Sequence, residues 1–357
     1  MSDVSREDLD DRRSSSLAEV SLDDVPGILS PALSRETVLR FLCISRDVLL
    51  GGLDPRSLLP LVTSGAVDVL FISPLLLDLD LGLGHPGPAR ERPTARSPKT
   101  GNEGRGLLLL RDVTMDRRLL HHPHHYVPMI FTAPPFQKIM PTATVCRLLG
   151  LYLKERERIL SEPAGLLSAA HDAGAPVYTP YVMSSRIGKI IAGLALDGNR
   201  LTPDPALDLN EAAGLVLESR RPGKGCLLIS FGGGESLAFV LRAAQHVQET
   251  LGIRSAPHED TTLLLVDPPD SLPGRSSPVE VLKREGYASS YKAYRSVSPA
   301  ADAVRVVSEA AAAWPRPSPR NLEDERDDIW ERLRKAHVEA TALKGWTPIK
   351  MKFPGRG

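Results

Sequence analysis

Cysteine is scarce in this chain. The three present among 357 residues, Cys43, Cys146 and Cys226, lie far apart in apolar surroundings. That excludes a disulfide framework and a cysteine-rich zinc module, and predicts buried, reduced thiols of a cytosolic protein. Net charge is missing as well: Lys+Arg and Asp+Glu number 44 each. Such a chain has no electrostatic footprint for nucleic acid or for an anionic membrane. No apolar run approaches the roughly 18 residues that a membrane helix needs. The amino-terminal stretch MSDVSREDLDDRRSSS is acidic and polar with no apolar core, so a secretory signal is not expected. What is present, 42% hydrophobic and 25% charged residues, is ordinary for a globular protein. The composition fits a cytoplasmic α/β protein.

Apolar patterning organises the chain from Ser34 onward. VLRFLCISRDVLLGG (Val38–Gly52) reads as a strand entering a glycine turn, PRSLLPLVTSG (Pro55–Gly65) as a helix closed by glycine, and AVDVLFIS (Ala66–Ser73) as a buried strand. This βαβ unit favours a parallel sheet. Residues 82–106 are polar, rich in proline and without periodicity, and read as a surface loop. RGLLLLRDV gives a short strand, Thr142–Glu157 an amphipathic helix, and Gly165–Gly174 a second one. Further strands are read in PVYTPYV, CLLIS, TTLLLVD (Thr261–Asp267) and VRVVS (Val304–Ser308), each leading toward a turn or helix. The expected architecture is a single large Rossmann-like α/β domain, a parallel sheet with helices on both faces. It spans 31–318, between a polar extension (1–30) and a charged helical tail (319–357).

Few segments carry chemistry. HHPHHY (His121–Tyr126) holds four histidines, but proline interrupts them and they do not share a helix face, so a polar loop is expected and no metal site. GLGHPG (Gly82–Gly87) matches G-x-G-x-x-G literally, yet Pro86 prevents the helix that must open there. RRPGKG (Arg220–Gly225) lacks the hydroxyl residue and the earlier glycine of a phosphate loop, and reads as a helix-to-strand turn. Gly232-Gly233-Gly234 differs, because it stands between a strand and a helix, where backbone amides reach a phosphate or ribose. Close helix–sheet packing explains the same glycines without a ligand. Lys292, in YASSYKAY, reads either as a desolvated nucleophilic amine or as a solvated surface lysine.

The order of segments resembles deoxyhypusine synthase from about Leu42 to Pro315. DVLLGGLDPRSLLPLVTSGAVDVLF is similar to the family's first helix-and-strand unit. MPTATVCRLLG with GAPVYTPYVMSSRIG resembles the middle unit, and GKGCLLISFGGG the strand and triple-glycine turn on the NAD side. RVVSEAAAAWP resembles the final strand with its ribose-binding aspartate, which places Glu309 at that position. The resemblance implies NAD, bound at a subunit interface through Gly232, Gly233, Gly234 and Glu309. It also implies spermidine and the precursor of the translation factor eIF-5A as reactants.

The working groups depart from the family pattern. The threonine- and glycine-rich NAD turn is Phe71-Ile72-Ser73-Pro74-Leu75-Leu76 here. Thr-Asp-Gly-Ser-Ile-Gly-Asp becomes Met183-Ser184-Ser185-Arg186-Ile187-Gly188-Lys189, so Ser184 and Lys189 replace two aspartates, and Lys189 would repel a polycation. The histidine beyond the triple glycine falls on Ala238. No lysine follows Trp-Gly; Lys292 and Lys283 are nearest, and Glu280 matches an acidic spermidine contact. The resemblance is therefore strongest to the family's regulatory paralogue, the prozyme, which forms a heterotetramer with a catalytic deoxyhypusine synthase and raises its activity. The alternative is a divergent synthase active on its own, with Lys292 as nucleophile.

Overall fold

Continuous apolar runs form the inner strands, because a parallel sheet covered on both faces has no polar side. The computed structural model describes residues 18–83, 107–253, 261–269, 292–314 and 320–343. Its main sheet contains Ala18–Glu19 (β1), Val38–Ile44 (β2), Val69–Ile72 (β3), Val177–Tyr178 (β4), Gly225–Phe231 (β5), Thr261–Asp267 (β6) and Lys292–Val297 (β7). The seven strands run in the order β1-β7-β6-β5-β2-β3-β4, and every pairing is parallel. Strands β2 to β7 have the doubly wound order, which reverses between β2 and β5, where Ile44 pairs with Phe231.

Side chains alternate between two cores, as a period of two requires. In β2, Leu42 and Ile44 join one face, while Leu39, Phe41 and Cys43 join the other. The first face carries Val25–Leu33 (α1), Arg46–Leu50 (α2), Leu59–Thr63 (α3), Pro74–Asp80 (α4), Pro123–Phe131 (α5), Thr142–Leu160 (α6), Leu166–Ala173 (α7), Arg186–Leu196 (α8) and Ala300–Ala312 (α11). The second carries Pro205–Ser219 (α9), Glu235–Gln245 (α10) and Leu322–Leu343 (α12). No helix of the described residues is long and apolar enough to cross a membrane. All three cysteines are buried and free, and burial pushes the Cys226 thiol up to about 12.

Carboxylates join the helices to one another. Asp78 accepts the Arg186 and Ile187 amides that open α8, at 2.9 and 3.3 Å. Asp80 accepts those of Leu166 and Leu167, which open α7, at 2.7 and 3.0 Å. Asp208 accepts the Thr142 amide at the start of α6, at 2.7 Å. Each satisfies amides that a helix start leaves without partners.

Three expectations are corrected. Val304–Ser308 is not a strand: Ala303, Val304, Val307, Ala310 and Ala311 are buried at helical spacing along α11, and that period outweighs a short β-branched run. Order begins ahead of Ser34, because β1 pairs with β7 and α1 buries Val25, Leu29 and Leu33. HHPHHY is not a loop. His121 ends a short 3-10 turn, and Pro123 opens α5, where its missing N–H costs nothing.

Candidate active-site crevice

Strand order reverses between β2 and β5, so Ser45 and Gly232–Gly234 flank the crevice in which doubly wound proteins bind ligands. The two walls are fastened to each other. Ser45 N donates to Phe231 O at 3.0 Å, and Gly232 N to Val266 O at 2.7 Å. Ser45 Oγ accepts from Gly234 N at 2.9 Å and donates to Gly232 O at 3.3 Å. Ser230 Oγ donates to the same carbonyl at 2.6 Å, and Ser236 Oγ to Ile44 O at 2.9 Å. Gly233 is the member of the triplet whose amide has no partner among the described residues.

Gly232 and Gly234 are glycine for steric reasons. Gly232 has φ +79°, and a Cβ on Gly232 or Gly234 would lie 3.0 Å from the Ser45 Cβ. Gly223 also has a positive φ, +77°, but with nothing within 4 Å. Gly223→Ala is expected to cost about 1 kcal/mol. Gly232→Ala adds the contact with Ser45 to the same backbone strain and should cost about 2–3 kcal/mol. Urea unfolding of the two variants checks the difference; equal losses would mean that Ser45 yields freely.

On the middle unit, β4 leads through Tyr181, in the left-handed conformation at φ 64°, to α8. Ser185 caps α8: its Oγ accepts from Gly188 N at 3.0 Å and donates to Val182 O at 2.6 Å. A Cβ on Gly188 would meet the Met183 Cα at 2.4 Å, so the turn itself requires glycine there. Ser184 and Lys189 are exposed. The nearby carboxylate, Asp78, faces inward onto the start of α8. Burial raises its pKa, against the two amides and the charges of Arg186 and Lys189. The charge that the Met183–Lys189 segment exposes is that of Lys189, while Asp78 is engaged by the amides of α8. Ala238, half-buried on α10, brings no ionisable group to the crevice.

Lys292 and Glu309 lie away from the crevice. Lys292 is the exposed first residue of β7, level with Thr262 and Leu227. At roughly 3.3 Å per residue it stands about 17 Å from the carboxyl end of its strand, on the opposite edge of the sheet. The placement of Glu309 at a strand end is corrected together with the strand. It lies in the third turn of α11, about 13 Å along the helix, 64% exposed, and its Oε1 accepts from Arg305 Nη1 at 3.0 Å. Lys283 and Glu280 lie outside the described residues.

Two polar groups that sequence reasoning misses stand at the carboxyl edge. Asp267, the last residue of β6, accepts from Arg295 Nε at 2.8 Å. Ser298, just past β7, is buried, and its Oγ has no partner among the described residues. Strand-end position is the signal for both: in a parallel sheet the residues following each strand form the ligand edge. His122 and His125 stand edge to face with ring centroids 6.0 Å apart. No group of three potential metal ligands is found among the described residues. Arg220–Lys224 turns from α9 into β5, as the sequence suggests.

No family model matches the chain. A deoxyhypusine synthase-like protein of Nostoc sp. is 30% identical over 261 residues, which are 72% of this chain and 67% of that protein. The one of Cyanothece sp. is 31% identical over 265 residues, 72% of this chain and 65% of that protein. The chain thus spans about two thirds of the length of these relatives. A crystal structure from Entamoeba histolytica assigned as a deoxyhypusine synthase superposes with a TM-score of 0.50 at 11% identity, over 84% of this chain and 90% of that one. That likeness shows the fold, and the identity to the Nostoc protein shows the kinship: the chain belongs to the deoxyhypusine synthase-like family.

Proposed function

We propose that this chain is a regulatory, catalytically impaired subunit that associates with a catalytic deoxyhypusine synthase paralogue and raises its activity in hypusine modification of the eIF-5A precursor. The make-up of the carboxyl edge carries the reading. The backbone of a nucleotide crevice is kept, but the ionisable groups of polyamine transfer are replaced by Ser184, Lys189 and Ala238. On the same edge Leu50, Tyr181, Met183 and Val297 are 66%, 63%, 52% and 53% exposed. Val297 ends β7, Tyr181 and Met183 follow β4, and Leu50 ends α2, the helix that follows β2. Exposed apolar side chains spread along the edge where a ligand is expected suit a broad protein partner better than a charged small substrate. The resemblance implies active sites between paired subunits, so a chain without the chemistry still completes or orders its partner's site.

The cofactor side fits NAD better than the polyamine side fits spermidine. The Gly233 amide and the Ser298 hydroxyl, which have no partner among the described residues, would face a dinucleotide's phosphate and ribose, and bound NAD would supply the hydride acceptor. Lys189 does not fit a polycation. The test is turnover of the purified chain with NAD, spermidine and eIF-5A precursor, alone and mixed with a catalytic homologue. Alone it should give no transfer. Mixed, it should raise the homologue's rate roughly 5- to 150-fold, the usual span of coupling between sites. Robust turnover alone would overturn the proposal and favour an independent synthase, and Lys283→Ala and Lys292→Ala would then find the nucleophile.

A further inference from the structure

The charged helix α12 is seated on α9 by a narrow apolar seam of Leu322, Ile329 and Leu333. Ile329 lies over Gly214, where a Cβ would come within 2.9 Å of its Cγ2. Beside the seam the contacts are ionic and point inward. Arg326 donates through Nε to Glu211 Oε1 at 2.9 Å and through Nη1 to Thr144 Oγ1 at 2.6 Å. Glu211 Oε2 accepts from the Tyr178 hydroxyl at 3.2 Å. Glu323 stands 3.4 Å from Arg147, and Arg332 3.2 Å from Glu218. These ion pairs are half-buried, so they give up part of their attraction to desolvation and part to screening, and they fix geometry more than they strengthen docking. Such an interface is suited to release.

The network ends on a strand that matters for the carboxyl edge. Tyr178 closes β4, and its ring stacks on Phe71 with centroids 5.1 Å apart. Beyond it the chain passes through left-handed Tyr181 and exposed Met183 and Ser184 to the Ser185 cap of α8. One guanidinium of α12 therefore reaches this segment through a single carboxylate and a single phenol.

We propose that α12 is a releasable strap whose docking, through Arg326, Glu211 and Tyr178, sets the conformation of the Tyr181–Lys189 segment at the carboxyl edge. Arg326 is a positioning residue, since its hydrogen bonds reach that segment through Glu211 and Tyr178. With α12 docked, Glu211 is neutralised and holds the Tyr178 hydroxyl in one place. With α12 lifted, the Glu211 carboxylate turns to water and the phenol loses its fixed acceptor, which loosens the strand end and the turn that follows. If the regulatory reading holds, this gives the partner-facing surface two states.

Hydrogen–deuterium exchange of the full chain, followed peptide by peptide, tests the proposal without any partner, so its outcome does not depend on whether the activation assay succeeds. Arg326→Met should speed exchange at least tenfold in both 322–343 and 179–189, with β2 and β5 unchanged. Glu211→Gln, which loses the ion pair but keeps a carbonyl that accepts from both Arg326 and Tyr178, should speed exchange in both segments, by less than Arg326→Met does. Faster exchange in α12 with 179–189 unaffected would overturn the coupling. Equal acceleration in β2 and β5 would also overturn it, by showing a general loss of stability.

Discussion

Arg40→Ala is expected to lose about 3–5 kcal/mol of folding stability, because two buried carbonyls lose a charged donor and a long buried side chain leaves a cavity. Arg40 lies in the middle of β2 and is 1% exposed. Its Nη2 donates to Leu33 O at 2.6 Å, and its Nη1 to Gly65 O at 3.3 Å. Its backbone amide donates to the buried Asp68 carboxylate at 2.8 Å. Leu33 ends α1 and Gly65 follows α3, so one guanidinium serves the carboxyl ends of two helices, where carbonyls lack partners and the macrodipole is negative. Alanine leaves those carbonyls unserved and opens a cavity against the sheet, while the backbone amide that serves Asp68 is kept. Arg40→Met refills most of the volume without restoring a donor. It should recover less than half of the loss, which separates hydrogen bonding from packing. Urea unfolding followed by far-ultraviolet circular dichroism measures both variants. A loss below about 1 kcal/mol for alanine would show that water reaches the two carbonyls.

The sheet is largely legible because its strands are long apolar runs closed by turn residues. Val38–Ile44, Val69–Ile72 and Thr261–Asp267 fall inside segments that read as strands, and Gly225–Phe231 extends the strand read in CLLIS by one residue at each end. The failures share a physical cause. β7, KAYRSV, mixes polar and apolar residues without a clear period and leans on the two-residue β1, so the sequence does not mark it as a strand and leaves Lys292 either a reactive amine or a solvated surface lysine. The last strand is then sought downstream, in a valine-rich stretch whose burial follows a helical period. Moving that strand moves the site. Lys292 passes to the amino edge, Glu309 to an exposed helix face, and Asp267 and Ser298 take the strand-end places. The triple glycine is placed correctly because a strand, glycines and a helix in succession leave the chain one arrangement. Its contact with Ser45 is not legible: residues 45 and 232 meet only through the pairing of β2 with β5.

The pH dependence of stability should carry the mark of Asp208. Its carboxyl is buried on α9 and accepts from the Thr142 amide at 2.7 Å. Burial raises its pKa from the ordinary 3.8 to about 7, outweighing the hydrogen bonds from Thr142 and Ala143, while Glu211 adds to the rise. Between pH 3.8 and 7 the folded chain binds this proton and the unfolded chain does not, so stability falls as pH rises through that window and is level above it. At 1.36 kcal/mol per pH unit the full effect amounts to about 4 kcal/mol. Asp208→Asn keeps an oxygen for the Thr142 amide and cannot ionise. It should match the parent chain near pH 4, lack the fall between pH 4 and 7, and be the more stable protein at pH 8. Unfolding free energies measured in urea at pH 4, 5.5, 7 and 8 decide the matter. If the variant is the weaker protein at pH 8, the carboxylate is solvated in the fold, and its charge serves the start of α6 as an ordinary helix cap does.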